Sequence, residues 1–137
     1  MDAVDLAHAK LDIQEVAAKY GHFIDHGEWD AALDLFTDDG VFDAQTVYGK
    51  VYDGKAEIKS FFDNAPDAVA HHPTSQFTEV GDNDTARSTC KFLVFFRRQV
   101  FSVDYDWDLV RQGGAWKIKK QTIHVVGKVR VADQASV

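Results

Sequence analysis

The chain has 137 residues, enough for one domain with a substantial core and too few for two. Its composition, 45% hydrophobic and 27% charged, is that of an ordinary folded protein, and a net charge of −7 excludes nucleic acid as the main partner, because a phosphate backbone needs a basic face. The lone Cys90 excludes an intrachain disulfide and a thiolate zinc cluster, no apolar run reaches the roughly 20 residues of a membrane span, and the first residues lack a signal-peptide pattern, so a cytoplasmic location is expected.

Residues 4–24 read as a helix, with Leu6, Ile13, Val16, Tyr20 and Phe23 near helical spacing and Gly27 as its stop. Trp29, Ala32, Leu33 and Phe36 form the stripe of a second, shorter helix, which the turn-prone segment from Thr37 to Gly40 ends. A short hairpin is predicted from Val41 to Tyr52, interrupted at Gly49. A third helix then opens at Asp53-Gly54, carrying Ile58, Phe61 and Phe62, and closes by Pro66. Beyond Val69 the chain becomes β, with strands expected at about 69–80, 85–98, 101–111 and 115–126 and a frayed tail after Gly127. The third of these alternates Val103, Tyr105, Trp107 and Leu109 with Asp104, Asp106 and Asp108, so one face packs and the other is wet; Lys117 and Lys119 are expected to supply counter-charge to the aspartates. Helices first and then a long antiparallel sheet make an α+β arrangement, and a sheet curved around the first helix would form a cone with an open mouth.

Two segments carry candidate chemistry. Asp25 lies where the first helix stops, and His71-His72-Pro-Thr-Ser-Gln76 opens the β-rich half. A carboxylate that orients a histidine makes a general base able to take a proton from carbon. In a regular strand His71 and His72 face opposite ways, so only one of them can reach the cavity. Read singly, Asp25 also suits a helix-end carboxylate, Tyr20 also suits a core aromatic, and Arg97 and Arg98 suit a solvated or interface position. No set of Asp, Glu and His at ligand spacing indicates a metal, and no cofactor is expected.

The run Ile13…Tyr20…Ile24-Asp25…Trp29-Asp30…Leu33…Leu35-Phe36-Thr37-Asp38-Asp39-Gly40 resembles the NTF2-like superfamily in its SnoaL-like branch. Gly54…Ile58…Phe61-Phe62, His72-x-x-x-Gln76 and Gly114-x-Trp116-Lys117-Ile118 extend the likeness over about residues 6–127, so a single domain spanning 1–137 is expected. The resemblance implies an NTF2-like cone of helices on a strongly curved, mostly antiparallel sheet. It also implies a cofactor-independent lyase, a dehydratase or dehydrohalogenase like those acting on scytalone, bile acids and hexachlorocyclohexane. Isomerase or polyketide-type aldol-cyclase chemistry opens with the same proton abstraction, and a non-catalytic binding or partner subunit is the alternative of another class. By family position Asp25 matches the dyad carboxylate, His72 the general base and Tyr20 a pocket tyrosine, while Gln76 stands where relatives often have Asn. Trp29, Phe42, Phe61, Phe62, Phe92 and Phe96, with Gln76 and His124, are the expected substrate-binding residues, and His124 or Lys120 the candidates to assist a leaving group. The partner implied is a small hydrophobic, ring-containing molecule, with self-association as a homodimer or homotrimer through the sheet.

Overall fold

A computed structural model describes residues 1–131. Helix α1 (Ala3–Asp25) starts on the side chain of Asp2, which accepts the Asp5 backbone N–H at 2.8 Å, and so satisfies one of the free amides of the first turn. Its buried stripe is Ala9, Ile13, Val16, Ala17, Tyr20 and Gly21, the i, i+3, i+4 spacing of one helical face. Gly27, at φ +67°, turns the chain out of the helix in the left-handed conformation that glycine adopts without cost. A five-residue helix α2 (Trp29–Leu33) follows.

The next elements are β1 (Phe36–Ala44), a helical turn α3 (Gln45–Tyr48), β2 (Lys50–Asp53) and α4 (Lys55–Asn64). Four long strands complete the chain: β3 (Ala70–Val80), β4 (Thr85–Phe95), β5 (Gln99–Gln112) and β6 (Ala115–Arg130). They form one six-stranded sheet in the order β2-β1-β6-β5-β4-β3. All neighbours are antiparallel except β1 and β6, which run parallel.

Several boundaries differ from the sequence reading. The segment Thr37–Gly40 belongs to β1, where the register against β6 shifts between Phe36 and Val41; the extra residues are absorbed as a bulge instead of a turn. A helical turn stands in the predicted hairpin, ended by Gly49 at φ +70°. The β4 strand stops at Phe95, so Phe96, Arg97 and Arg98 form the connection to β5, and β6 runs three residues past Gly127 to Arg130. The tail beyond Val131 lies outside the described residues.

Bulges bend this sheet around α1. Register shifts occur in β3 between Thr74 and Phe77 and twice between β5 and β6, at Ser102/Val103 and Asp108/Leu109. Each adds local twist and reverses which residues face inward. Along β4 the inward set is Ala86, Ser88, Cys90, Phe92 and Val94; along β5 it is Val103, Tyr105, Trp107 and Leu109. These meet the apolar stripe of α1 in one core, where the Tyr20 ring lies edge-on to Phe92 at 5.8 Å, Tyr105 at 5.5 Å and Trp107 at 6.1 Å.

The wet face carries its own charge pairs, drawn from β4 in place of the lysines expected. Lys91 meets Asp104 at 2.7 Å, Arg87 meets Asp108 at 3.2 Å, and Thr89 donates to Asp106 at 2.8 Å. Lys117 instead donates to the backbone carbonyl of Asp34. None of the described helices is long and apolar enough to cross a membrane.

Candidate active site

Around the C-terminal end of α1 the core gives way to a cavity of about 1280 Å³. Helix α1 supplies Tyr20, Ile24 and Asp25, α4 supplies Phe61 and Phe62, and the inward faces of β4, β5 and β6 supply Val94, Val103, Tyr105, Ile123 and Val125. The wall is mostly apolar with a few polar groups, the usual character of a small-molecule site.

Asp25 and a histidine do meet here, but the histidine is His71. Its Nδ1 lies 2.7 Å from Asp25 Oδ1, while its backbone N–H donates to Asp25 Oδ2 at 3.0 Å. A carboxylate offers only acceptors, so Nδ1 carries the shared proton, and the neutral ring keeps its lone pair on Nε2. Both side chains are largely withdrawn from solvent, at 12% and 18% exposed, and both line the cavity. With both carboxylate oxygens engaged, the imidazole is held in one tautomer and one orientation.

The approach of α1 to β3 makes the pairing possible. Gly21 is buried in the helix, and a Cβ placed there would stand only 2.8 Å from the His71 carbonyl oxygen. Glycine therefore lets the helix lie directly on the strand, and Asp25, one turn further on, arrives beside His71.

His72, expected to be the base, points the other way. Its ring packs edge-on against Phe95 at 5.3 Å, away from Asp25, and it does not line the cavity. The reason is the bulge in β3. Downstream of it Gln76 and Thr78 face inward and bond to the buried Ser88 hydroxyl, at 3.0 and 2.9 Å. Between Thr74 and Phe77 the partner strand advances only from Lys91 to Thr89, so one extra residue is inserted, with Ser75 at φ +48°. Extending the parity of Gln76 back through this bulge selects His72; the true inward residues upstream are His71 and Pro73, paired with Val94 and Phe92.

Tyr20 lines the cavity as expected, in a buried polar chain. Trp107 Nε1 donates to Gln121 Oε1 at 2.8 Å, and Gln121 Nε2 donates to the Tyr20 hydroxyl oxygen at 3.1 Å. Burial pushes the Tyr20 phenol up to about 12, offset in part by Gln121 and by the neighbouring Tyr105 hydroxyl, and holds Tyr105 well above the ordinary tyrosine value. Both are neutral hydrogen-bonding groups across the physiological range.

Of the expected binding residues, Trp29, Phe61, Phe62 and Phe96 line the cavity. Phe42 and Phe92 are fully buried behind it, in contact with Phe61 and Tyr20 respectively. Gln76 is committed to Ser88, and His124 lies on the opposite face, 3.5 Å from Asp106, so neither reaches the cavity. Lys120 is also on the outer side, 4.0 Å from Asp43. Residues not foreseen are His71, Tyr48 and Tyr105, and three arginines, Arg97, Arg98 and Arg130, which were read as surface groups or lay beyond the expected end of the last strand. The inward alternation of Val103 and Tyr105 was a usable signal for Tyr105. For the arginines, which depend on where β4 and β6 end, there was none. Among the described residues no group of three His, Cys, Asp or Glu could hold a metal ion.

The model of the SnoaL-like domain family matches residues 5–122. Among solved structures, the hexachlorocyclohexane dehydrochlorinase LinA-type3 from Novosphingobium barchaimii superposes with a TM-score of 0.80 at 16% identity, over 99% of both chains. A scytalone-dehydratase-like protein from Novosphingobium aromaticivorans gives 0.77 at 15% identity, over 99% of this chain and 95% of that one. An NTF2-like protein with a cystatin-like fold from the same organism gives 0.73 at 22% identity, over 91% and 90%. At such identities the likeness shows the fold alone. No curated protein matches the chain.

Proposed function

The chain belongs to the SnoaL-like domain family of the NTF2-like superfamily, and from that premise we propose that it is a cofactor-independent lyase, of dehydratase or dehydrohalogenase type, acting on a ring-containing apolar molecule inside the cone. The carrying observation is the Asp25–His71 pair at 2.7 Å on the wall of the cavity. In the reaction His71 Nε2 takes a proton from a substrate carbon. The C–H electron pair becomes the new double bond, and the leaving group departs with its own bonding electrons. Asp25 keeps Nδ1 protonated and stabilises the imidazolium formed, which costs less beside a carboxylate in a partly dry site. Tyr20 and Tyr105, neutral phenols on the same wall, hydrogen-bond an oxygen or halogen that gains charge as the proton leaves. The apolar wall excludes water and holds the carbon acid against the base, which supplies the positioning share of the acceleration.

Isomerisation and aldol cyclisation begin with the same abstraction, so a test of that step covers them together. A panel of cyclic carbon acids, some bearing a β-halide or β-hydroxyl group, is incubated with the protein in D₂O, and deuterium incorporation and loss of the leaving group are both followed by mass spectrometry. Exchange or elimination with wild type that falls by about 10²-fold or more in His71→Asn, and persists in His72→Asn, is the expected result for a general base. Either reaction surviving His71→Asn overturns the assignment. Binding of the panel with neither exchange nor elimination is the outcome expected of a non-catalytic cavity.

A further inference from the structure

The chain carries seven more negative than positive side chains, yet the cavity lining has the opposite bias. Among the described residues Arg97, Arg98 and Arg130 line it, against two acids, Asp25 and Asp67. Asp25 is already bound on both oxygens by His71, which leaves Asp67 as the other acid of the lining among the described residues. The arginines are gathered by topology. Arg97 and Arg98 lie in the connection between β4 and β5, Arg130 is the last residue of β6, and Arg130 stands across the ladder from Gln99. The backbone N–H of Val131 donates to the Arg98 carbonyl at 2.8 Å, tying the strand end to this connection. All three side chains are exposed, whereas the deeper wall is formed by Phe61, Phe62, Val103, Tyr105 and Ile123. The site is therefore amphipathic: an apolar interior with a cationic edge.

We propose that the ligand of this cavity is an amphipathic organic acid, an apolar ring body that fills the interior and a carboxylate or comparable oxyanion held at the edge by Arg97 and Arg130. The proposal rests on the cavity being the substrate site and names the substrate's class. Guanidinium groups suit this task because their planar fork matches an oxyanion and is weakly hydrated. An overall acidic protein with a local cationic edge draws an anion to that edge, and a carboxylate held there leaves the apolar ring to fill the interior beside His71 and the tyrosines.

The test uses two fluorescent naphthalenes that share an apolar body and differ by an anion: 1-anilinonaphthalene-8-sulfonate and neutral N-phenyl-1-naphthylamine. Both are titrated into wild type and into the double variant Arg97→Gln/Arg130→Gln at low and high salt, with displacement by 2-naphthoate and by 2-naphthalenemethanol. Loss of two charge-assisted contacts is expected to weaken the sulfonate and naphthoate by about 10-fold or more, while the neutral pair is unaffected. Salt should weaken the anions in wild type alone. Unchanged binding of the neutral probe certifies that the variant's cavity is intact. Equal affinity for anionic and neutral probes in both proteins, or an equal loss of both in the variant, overturns the proposal. Sulfonate binding without displacement by naphthoate also overturns it, because the anion site then lies outside the cavity or is specific to the dye. None of these readings needs turnover, so a failed base assignment at His71 leaves the result interpretable, and a failed anion site leaves the deuterium-exchange test standing.

Discussion

Gly21→Ala is the perturbation that probes how the site is built. In an ordinary helix this change is favourable by about 1 kcal/mol, because alanine loses less backbone entropy than glycine. Here the added methyl carbon would stand 2.8 Å from the His71 carbonyl oxygen and 3.6 Å from Pro73 Cδ. A carbon and a carbonyl oxygen approach comfortably only to about 3.3 Å, so α1 and β3 must separate by roughly 0.5 Å. The obstacle is backbone in a bonded strand, not the end of a flexible side chain, and overpacking of that kind costs about 1–3 kcal/mol. The balance is a net loss of about 1 kcal/mol. The separation would also stretch the two contacts from Asp25 to His71, at 2.7 and 3.0 Å, since the carboxylate rides on the same helix one turn away. Urea denaturation measures the first effect, and the His71 Nδ1–H resonance in proton NMR measures the second. A variant stabilised by about 1 kcal/mol with that resonance unmoved would refute the close approach of helix and strand and, with it, the account of how Asp25 is brought to His71.

Three further outcomes follow from the buried chemistry and the bulge. Gln121→Leu strands the Trp107 N–H and removes the donor to Tyr20, so it should destabilise by about 2–5 kcal/mol in urea melts; a loss below about 1 kcal/mol would contradict the polar chain. Raising the pH should weaken the fold. An unfolded tyrosine ionises near pH 10 while Tyr20 holds its proton to about 12, so the stability present below pH 10 is lost as pH climbs through that window, on the order of 2–3 kcal/mol from Tyr20. Cys90, pushed by burial to about 11, acts in the same direction, and stability flat between pH 9 and pH 12 would contradict the burial of these groups. Ser75→Val places a β-branched side chain at φ +48° and should cost about 1–2 kcal/mol by thermal denaturation, whereas a neutral result would argue against the bulge.

The sequence carried the architecture well, for physical reasons. The apolar stripe of α1 and the strict alternation in β5 each follow from a period that side-chain burial enforces over many residues. What it could not carry were features set by one residue or by a distant partner. The parallel pairing of β1 with β6 joins segments at opposite ends of the chain and leaves no local mark. The choice between His71 and His72 turned on a single inserted residue at Ser75, which reverses the inward parity while leaving the strand pattern outwardly regular. The motif pair of Asp25 with a strand histidine was legible, and its member was misplaced by one position. His124 was lost for a similar cause, since bulges in β6 decide which of its residues face the cavity, whereas Gln76 faces inward and is held away from the cavity by its bond to Ser88. The arginine edge depended on where β4 stops and how far β6 extends, and strand ends are the least constrained part of a periodic pattern.

The most direct test of the central claim is the ring ¹⁵N spectrum of the histidines in wild type and in Asp25→Asn. The account predicts that His71 is held as the Nδ1–H tautomer with Nε2 unprotonated, that its Nδ1–H is strongly downfield, and that both features collapse in Asp25→Asn while His72 is unaffected. A His71 ring in the Nε2–H tautomer, or a His72 ring that responds to the Asp25 substitution in its place, would contradict it.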